Sequence, residues 1–258
     1  MTAVSPAIVL RGISKTYAAK GRPNTLALDN ISLDIAEGEF VALVGPSGCG
    51  KSTLLKLISG LLPPSNGEIE VFKATVTRPL PSVGIVFQSP VLMKWRTIYE
   101  NVILPLEVMG TIDASSHDRV MGLLELAGIR DFAQSYPREL SGGMQQRAAI
   151  CRALVHNPPL LLLDEPFGAL DAMTRSQMNM DLARIWAQTR KTTVLITHSV
   201  AEAVFLADRV VVMSARPGRI TEIISVEIPH PRTVDVRGQP KFGELVQQIG
   251  KHIGFEFA

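Results

Sequence analysis

Cysteine is nearly absent: Cys49 and Cys151 are the only two thiols among 258 residues. Two thiols without zinc-ligand spacing make neither a disulfide framework nor a metal cage, so a reducing cytoplasm is the expected compartment. Excess charge is missing too, with 26 Lys and Arg against 24 Asp and Glu for a net +2. That balance excludes capture of nucleic acid or a membrane surface by bulk charge, and no nucleic-acid partner is expected. No apolar run approaches the roughly 18 residues that a spanning helix needs, and residues 1–12 show no basic start followed by an apolar stretch. A soluble chain without a leader is therefore expected, with room for docking to something that is not soluble. Repeats and low-complexity segments are also lacking. Hydrophobic residues at 46% and charged ones at 19% exclude wholesale disorder, and the length suits one or two domains.

What is present alternates between strand-like and helix-like segments, the mark of an α/β domain with a mainly parallel sheet. Phe40 to Val44, Ile85 to Phe87, Leu160 to Leu163 and Val194 to Ile196 are continuous apolar runs, expected as strands buried on both faces. Ile8 to Leu10, Ile31 to Ile35 and Glu68 to Phe72 are expected as half-exposed antiparallel strands of an N-terminal β subdomain, with Pro23-Asn24 and residues 63–67 as turns. From about residue 89 to 152 strand formers are few and helical faces frequent, so an inserted α-helical subdomain is expected there. Met178, Leu182, Ile185 and Trp186 fall at helical spacing and read as a core-packing stripe. The expected division is one main domain over residues 1–220 and a C-terminal extension over 221–258.

Phe40-Val-Ala-Leu-Val44 runs into Gly45-Pro46-Ser47-Gly48-Cys49-Gly50-Lys51-Ser52-Thr53, which fits G-x-x-x-x-G-K-[ST], and then into an apolar-periodic helix. Glycines at 45, 48 and 50 allow the backbone to curl with its N–H groups inward around a polyphosphate. The helix N-terminus adds about half a positive charge, Lys51 adds a full charge for the β and γ phosphates, and Ser52 offers a hydroxyl to Mg2+. Cys49 reads as a small side chain that fits the loop.

Pro158-Pro159 and Pro166 bracket Leu160-Leu-Leu-Leu-Asp164-Glu165, too short for a helix and suited to a central strand with two acids at its C-terminal end. Asp164 suits Mg2+ and Glu165 suits polarising an attacking water. Strand, loop and acids together still admit ATPases, kinases and GTPases.

Leu140-Ser141-Gly142-Gly143-Met-Gln-Gln-Arg147 narrows the field. It resembles the signature motif of ATP-binding cassette (ABC) proteins, and other landmarks fall in that family's order: Tyr17, Gln88, Asp171 in Gly168-Ala-Leu-Asp171, and Thr197-His198 after a strand. The resemblance covers roughly residues 7 to 225. It implies a phosphate-loop NTPase (RecA-like) core and Mg-dependent ATP hydrolysis. It further implies that Tyr17 stacks on adenine, that Gln88 touches Mg2+ or water, and that His198 bonds the γ phosphate and holds Glu165. Ser141, Gly142 and Gly143 would cover the nucleotide of a second ATP-binding subunit, identical or a paralogue, with Asp171 near the shared interface. Position 144 departs from the family's frequent Gln, and Met donates no side-chain hydrogen bond.

The segment from Gln88 to Val102, with Trp95 and Arg96, resembles the surface by which importer subunits meet a membrane permease, in particular those of the nitrate, sulfonate and taurine group. This implies a peripheral subunit on the cytoplasmic face of the membrane, powering uptake of a small anionic solute delivered by a periplasmic or extracellular substrate-binding protein. A soluble cassette ATPase of translation or DNA maintenance is the alternative, but such proteins usually carry two cassettes or long coiled coils, and one cassette without heptads stands here. A GTPase is disfavoured because no Asn-Lys-x-Asp guanine reader occurs.

Overall fold

Ile31, Leu33 and Ile35 are buried while Ser32 and Asp34 between them are exposed, the period-two pattern of a strand with one face on a core. The computed structural model describes residues 6–19, 22–168 and 170–254. Among these residues lie ten strands and seven α-helices. In chain order they are β1 (Pro6–Ala19), β2 (Arg22–Ala36), β3 (Phe40–Val44), α1 (Lys51–Ile58), β4 (Asn66–Val71), β5 (Ala74–Thr75) and β6 (Val83–Val86). There follow α2 (Ile98–Met109), α3 (Ser116–Leu126), α4 (Gly142–Leu154), β7 (Leu160–Asp164) and α5 (Ala172–Thr189). The remainder are β8 (Thr192–Ile196), α6 (Val200–Leu206), β9 (Arg209–Met213), β10 (Ile220–Ser225) and α7 (Pro240–Ile253). The chain divides into two compact units, Met1–Pro81 with Arg190–Ala258, and Ser82–Thr189.

In the first unit an antiparallel sheet runs in the order β2-β1-β4-β5. β1 is much longer than Ile8 to Leu10, pairing with β2 from Pro6↔Ala36 to Ala19↔Arg22 through several register shifts. Pro23-Asn24 does not form the expected turn and lies inside β2 instead. β2 is the outer strand, where a residue without an N–H need break no ladder bond. The same unit contains β3 between β8 and β9, both parallel to it, with β10 antiparallel on β9. Every residue of β3 and β8 is buried, as expected for strands covered on both faces. β9 was not among the expected strands, although Val210-Val-Val-Met213 is equally apolar and β-branched.

The second unit contains the parallel pair β6 and β7, in register from Val83↔Leu160 to Val86↔Leu163. β6 ends before Phe87, so Phe87 is not the strand residue expected but is 36% exposed. Helices α2, α3 and α4 close on a core that includes Val102, Leu106, Val120, Leu124, Ala148 and Cys151. Burial alone pushes the Cys151 thiol up to about 12, which keeps it protonated and inert. Along α5 the stripe of Met178, Leu182, Ile185 and Trp186 is buried, as its spacing indicated. Helix α2 starts from a capping box: Glu100 N–H donates to Thr97 Oγ1 and Thr97 N–H donates to the Glu100 carboxylate.

The polar C-terminal stretch is organised by one cation. Arg232 is only 4% exposed, and its guanidinium donates to the backbone carbonyls of Val204, Phe205, Ala207, Val226 and Ile228. These carbonyls belong to the end of α6 and to the chain leaving β10, so one side chain ties both. Burial lowers the Arg232 pKa to about 10, with Asp208 opposing that shift, and the group remains charged at neutral pH. Beyond it α7 lays Phe242, Leu245 and Ile249 onto α6, β9 and β10. Arg232→Met should leave these buried carbonyls unpaired and lower stability by about 2–4 kcal/mol in urea unfolding. An unchanged unfolding midpoint would remove Arg232 from its organising role.

Candidate active site

In the first unit β3 delivers a buried chain directly into the loop of residues 45–53. Gly50 caps α1 with φ 104°, a left-handed conformation, and a Cβ there would lie 2.6 Å from Leu28 Cδ2. Lys51 is 5% exposed and its ammonium donates to Gly45 O at 2.8 Å and Pro46 O at 3.1 Å. The lysine thus spans the loop it belongs to and holds its charge against the loop's own carbonyls. Ser47 and Gly48 are exposed, Pro46, Ser52 and Thr53 are half-buried, and Cys49 is 1% exposed with its sulfur 3.7 Å from Lys51 Nζ.

Tyr17 lies beside the first turn of α1, its hydroxyl 3.2 Å from Thr53 Oγ1 and its ring centroid 5.7 Å from Lys15 Nζ. Lys15 in turn donates to Pro63 O at 2.6 Å. At 40% exposure the Tyr17 ring retains surface for an aromatic partner. His198 is exposed just past β8, in the unit that also carries the loop. The preceding Thr197 N–H donates to Leu43 O at 3.2 Å, which keeps that strand end beside the end of β3. Thr197 is itself buried, with its hydroxyl bonded to the Glu202 carboxylate and accepting from Ser199 N–H at 3.0 Å.

In the second unit β7 ends at Asp164, and Glu165 follows with φ 46°. A left-handed residue at a strand end turns the chain sharply, and Gly168 N–H closes the turn on Glu165 O at 3.1 Å. Gln88 Nε2 donates to Glu165 Oε2 at 3.4 Å, so the structure joins two residues that sequence order keeps apart. Gln146 was not singled out from the sequence. Its amide is 2% exposed and donates to Phe87 O at 3.2 Å, anchoring to α4 the chain that presents Gln88. Its position in Ser141-Gly-Gly-Met-Gln-Gln-Arg147 was a signal, but only its burial shows the task.

Ser141 caps α4 by accepting from Met144 N–H at 3.4 Å, and Ser141 and Gly142 are exposed. Gly143 is buried, and a Cβ there would meet Thr174 Cγ2 at 2.8 Å. Asp171 accepts from Met173 N–H and Thr174 N–H, each at 3.0 Å, at the start of α5. The Thr174 hydrogen bonds, backbone first, hold its carboxyl below the usual carboxylate range.

A scan of the sequence against family models matches the ABC transporter family over residues 28–168. The chain belongs to the ABC transporter family. It is similar to the aliphatic sulfonates import ATP-binding protein SsuB of Bacillus cereus, 42% identical over 250 residues that cover 97% of this chain and 95% of that one. It is likewise similar to the taurine import ATP-binding protein TauB of Rhizobium johnstonii, 44% identical over 238 residues, 90% of this chain and 91% of the relative. Among solved structures, the dimeric post-hydrolysis state of the ATP-binding cassette MJ0796 bound to ADP and Pi matches with a TM-score of 0.75. Its identity is 34%, covering 86% of this chain and all of the other. The chain is an ABC-type ATPase with a phosphate-loop NTPase fold.

Acid titration of this ATPase followed by NMR should place the Asp171 midpoint below the ordinary 3.8. Because the folded value is the lower one, the carboxylate's contribution is complete above the ordinary range and fades as pH falls through the folded midpoint. The stability difference between wild type and Asp171→Asn should therefore be constant at neutral pH and shrink only in strong acid. A midpoint at or above 3.8 would mean that the Thr174 and Met173 bonds are absent in solution.

Proposed function

We propose that the chain is the ATP-hydrolysing subunit of an importer for a small anionic solute of the sulfonate or taurine class, working through a separate membrane permease. The full-length likeness to SsuB and TauB carries this reading, because it extends across both units rather than over the phosphate loop alone. No helix among the described residues is long and apolar enough to cross a membrane, and this reading places the pore in a separate permease. Attachment would then be peripheral, at the cytoplasmic face, with a periplasmic or extracellular binding protein supplying the solute.

The segment from Gln88 to Val102 is the proposed permease contact. Trp95 is 75% exposed, and Val91 is 57% exposed, while the chain that carries them is firmly held. Arg152 donates to Val91 O and Pro90 O, and fully buried Asn101 donates to Met93 O, Arg96 O and Thr97 O. An exposed Trp on a rigid loop presents apolar area at little entropic cost, a common anchor in protein interfaces.

The chemistry assigned to the site is in-line attack of water on the γ phosphate. Glu165 orients the water and takes its proton, while Gln88 holds the Glu165 carboxylate. Lys51, Gly45 to Gly50 and the N-terminus of α1 bind the phosphates of ATP, Thr53 and Tyr17 flank the nucleotide, and His198 bonds the γ phosphate. Ser141, Gly142 and Gly143 supply a hydroxyl and a helix N-terminus to the nucleotide of a second subunit, and Asp171 lies at that junction. The donor set suits Mg2+, a hard cation that takes one or two protein oxygens beside phosphate oxygens: Ser52, Asp164 and Gln88 would hold it, and it would offset phosphate charge.

Glu165→Gln removes the proton acceptor but keeps a hydrogen-bonding side chain of the same size. Turnover should fall by about 10²–10⁴-fold while ATP affinity stays within a few-fold, and ATP should convert the variant into a lasting dimer on size-exclusion chromatography. Wild-type turnover in that variant would overturn the assignment of Glu165, and a monomer under ATP would overturn the shared nucleotide. For the transport reading, deletion of the gene should abolish growth on an alkanesulfonate or taurine as sulfur source, and Trp95→Ala should impair growth with ATPase activity in solution intact. Normal growth of the deletion strain on both would sink the solute class.

A further inference from the structure

Residues 214–219 form a closed turn that the chemistry above does not use. Ser214 N–H donates to Arg219 O at 2.9 Å, Arg219 N–H returns to Ser214 Oγ at 3.0 Å, and the same hydroxyl donates to Pro217 O at 3.0 Å. The turn is fastened to β2, since Gly218 N–H donates to Ala27 O at 2.9 Å and Asp29 N–H donates to Gly218 O at 3.0 Å. Its other side meets the phosphate loop. A Cβ on Gly218 would lie 2.0 Å from Cys49 O, so the two backbones touch where no side chain fits. Arg216 Nε and Nη2 reach Gly48 O at 3.4 and 3.3 Å.

We infer that this turn positions the phosphate loop for ATP, with Arg216 and Gly218 fixing two consecutive peptide planes, Gly48–Cys49 and Cys49–Gly50. A peptide unit is planar and trans, so each N–H points opposite to the carbonyl of the preceding residue. Holding Gly48 O fixes the direction of Cys49 N–H, and seating Cys49 O against Gly218 fixes the direction of Gly50 N–H. Cys49 N–H donates to Pro46 O at 3.3 Å, which sets the loop's own curl, while Gly50 N–H is among the loop amides assigned above to phosphate, and the inference rests on that assignment. Arg216 and Gly218 are positioning residues: they act through the loop.

The test uses the full chain, titrated with a fluorescent ATP analogue and assayed for steady-state ATP hydrolysis, with wild type and Lys51→Ala in parallel. Arg216→Ala, an exposed change, should raise the nucleotide Kd and KM by about 2–10-fold, the worth of one hydrogen bond, with kcat nearly unchanged. Arg216→Gln restores an N–H at the reach of Nε without charge, and should return affinity to within about twofold of wild type. Gly218→Ala should raise Kd by at least about tenfold, because backbone has to shift at the loop. Wild-type affinity in Arg216→Ala, or Arg216→Gln as weak as Arg216→Ala, would overturn the inference, the latter by showing that charge rather than geometry matters. If wild type itself failed to bind and hydrolyse ATP, or Lys51→Ala bound as wild type does, the phosphate-site assignment would fall and this inference with it.

Discussion

A phosphate loop must present a row of backbone N–H groups to a polyanion without collapsing on itself, and the rest of the first unit is arranged around that constraint. Loops with unpaired amides are intrinsically adaptable, so their shape has to be imposed from outside. Here β3 arrives buried on both faces, α1 leaves from a left-handed glycine, and Lys51 braces the carbonyls of Gly45 and Pro46. The turn at residues 214–219 closes the remaining side. These supports are backbone contacts, the buried Lys51 ammonium and the exposed Arg216 guanidinium on Gly48 O.

What was legible in the sequence follows from whether a feature is local. The phosphate loop, the acid pair and the signature turn were readable because their chemistry requires particular residues within a few positions, on one strand end or one helix start. Buried strands such as β3 and β8 were readable from continuous apolar runs, and the α5 stripe from helical period. Features fixed by distant partners were not. Arg216 and Gly218 lie some 170 residues beyond Gly48 and Cys49, and nothing near them in sequence signals the contact. Gln146 lies within a recognised motif, yet its bond to Phe87 O depends on how α4 packs on β6. Arg232 read as part of a polar tail because its five carbonyl partners come from α6 and from the chain after β10. Pro23-Asn24 misled for the opposite reason: turn chemistry is a local preference, and an outer strand tolerates it.

The two units divide the polar chemistry by type. The first holds the cationic and amide donors proposed to bind phosphate, while the second holds Asp164, Glu165 and Asp171 with the signature turn. A carboxylate proposed as a base, as Glu165 is here, needs something to orient it without quenching it. The 3.4 Å bond from Gln88 does so with a neutral amide, and Gln88 is carried on the segment proposed to meet the permease. Displacing that segment would therefore alter the contact that orients the proposed base. Coupling of transport to hydrolysis needs a link of this kind, in which a partner's contact biases the orientation of one reacting group.

Met144 shows how the signature turn can tolerate a departure from a hydrogen-bonding side chain. Its backbone N–H caps onto Ser141, and its side chain packs partly buried against the core formed by α2, α3 and α4. The position thus serves as an apolar anchor rather than a donor, and the exposed donors of the turn are the Ser141 hydroxyl and the first backbone amides of α4. Anchoring them to a close-packed core has a mechanical consequence, because such cores are poorly compressible and transmit strain. The turn shares this core with the three helices, and α2 and α4 also hold the Trp95 loop through Asn101 and Arg152. If the proposed permease displaced the Trp95 loop, strain would reach the Ser141 turn through this shared packing rather than through one dedicated side chain.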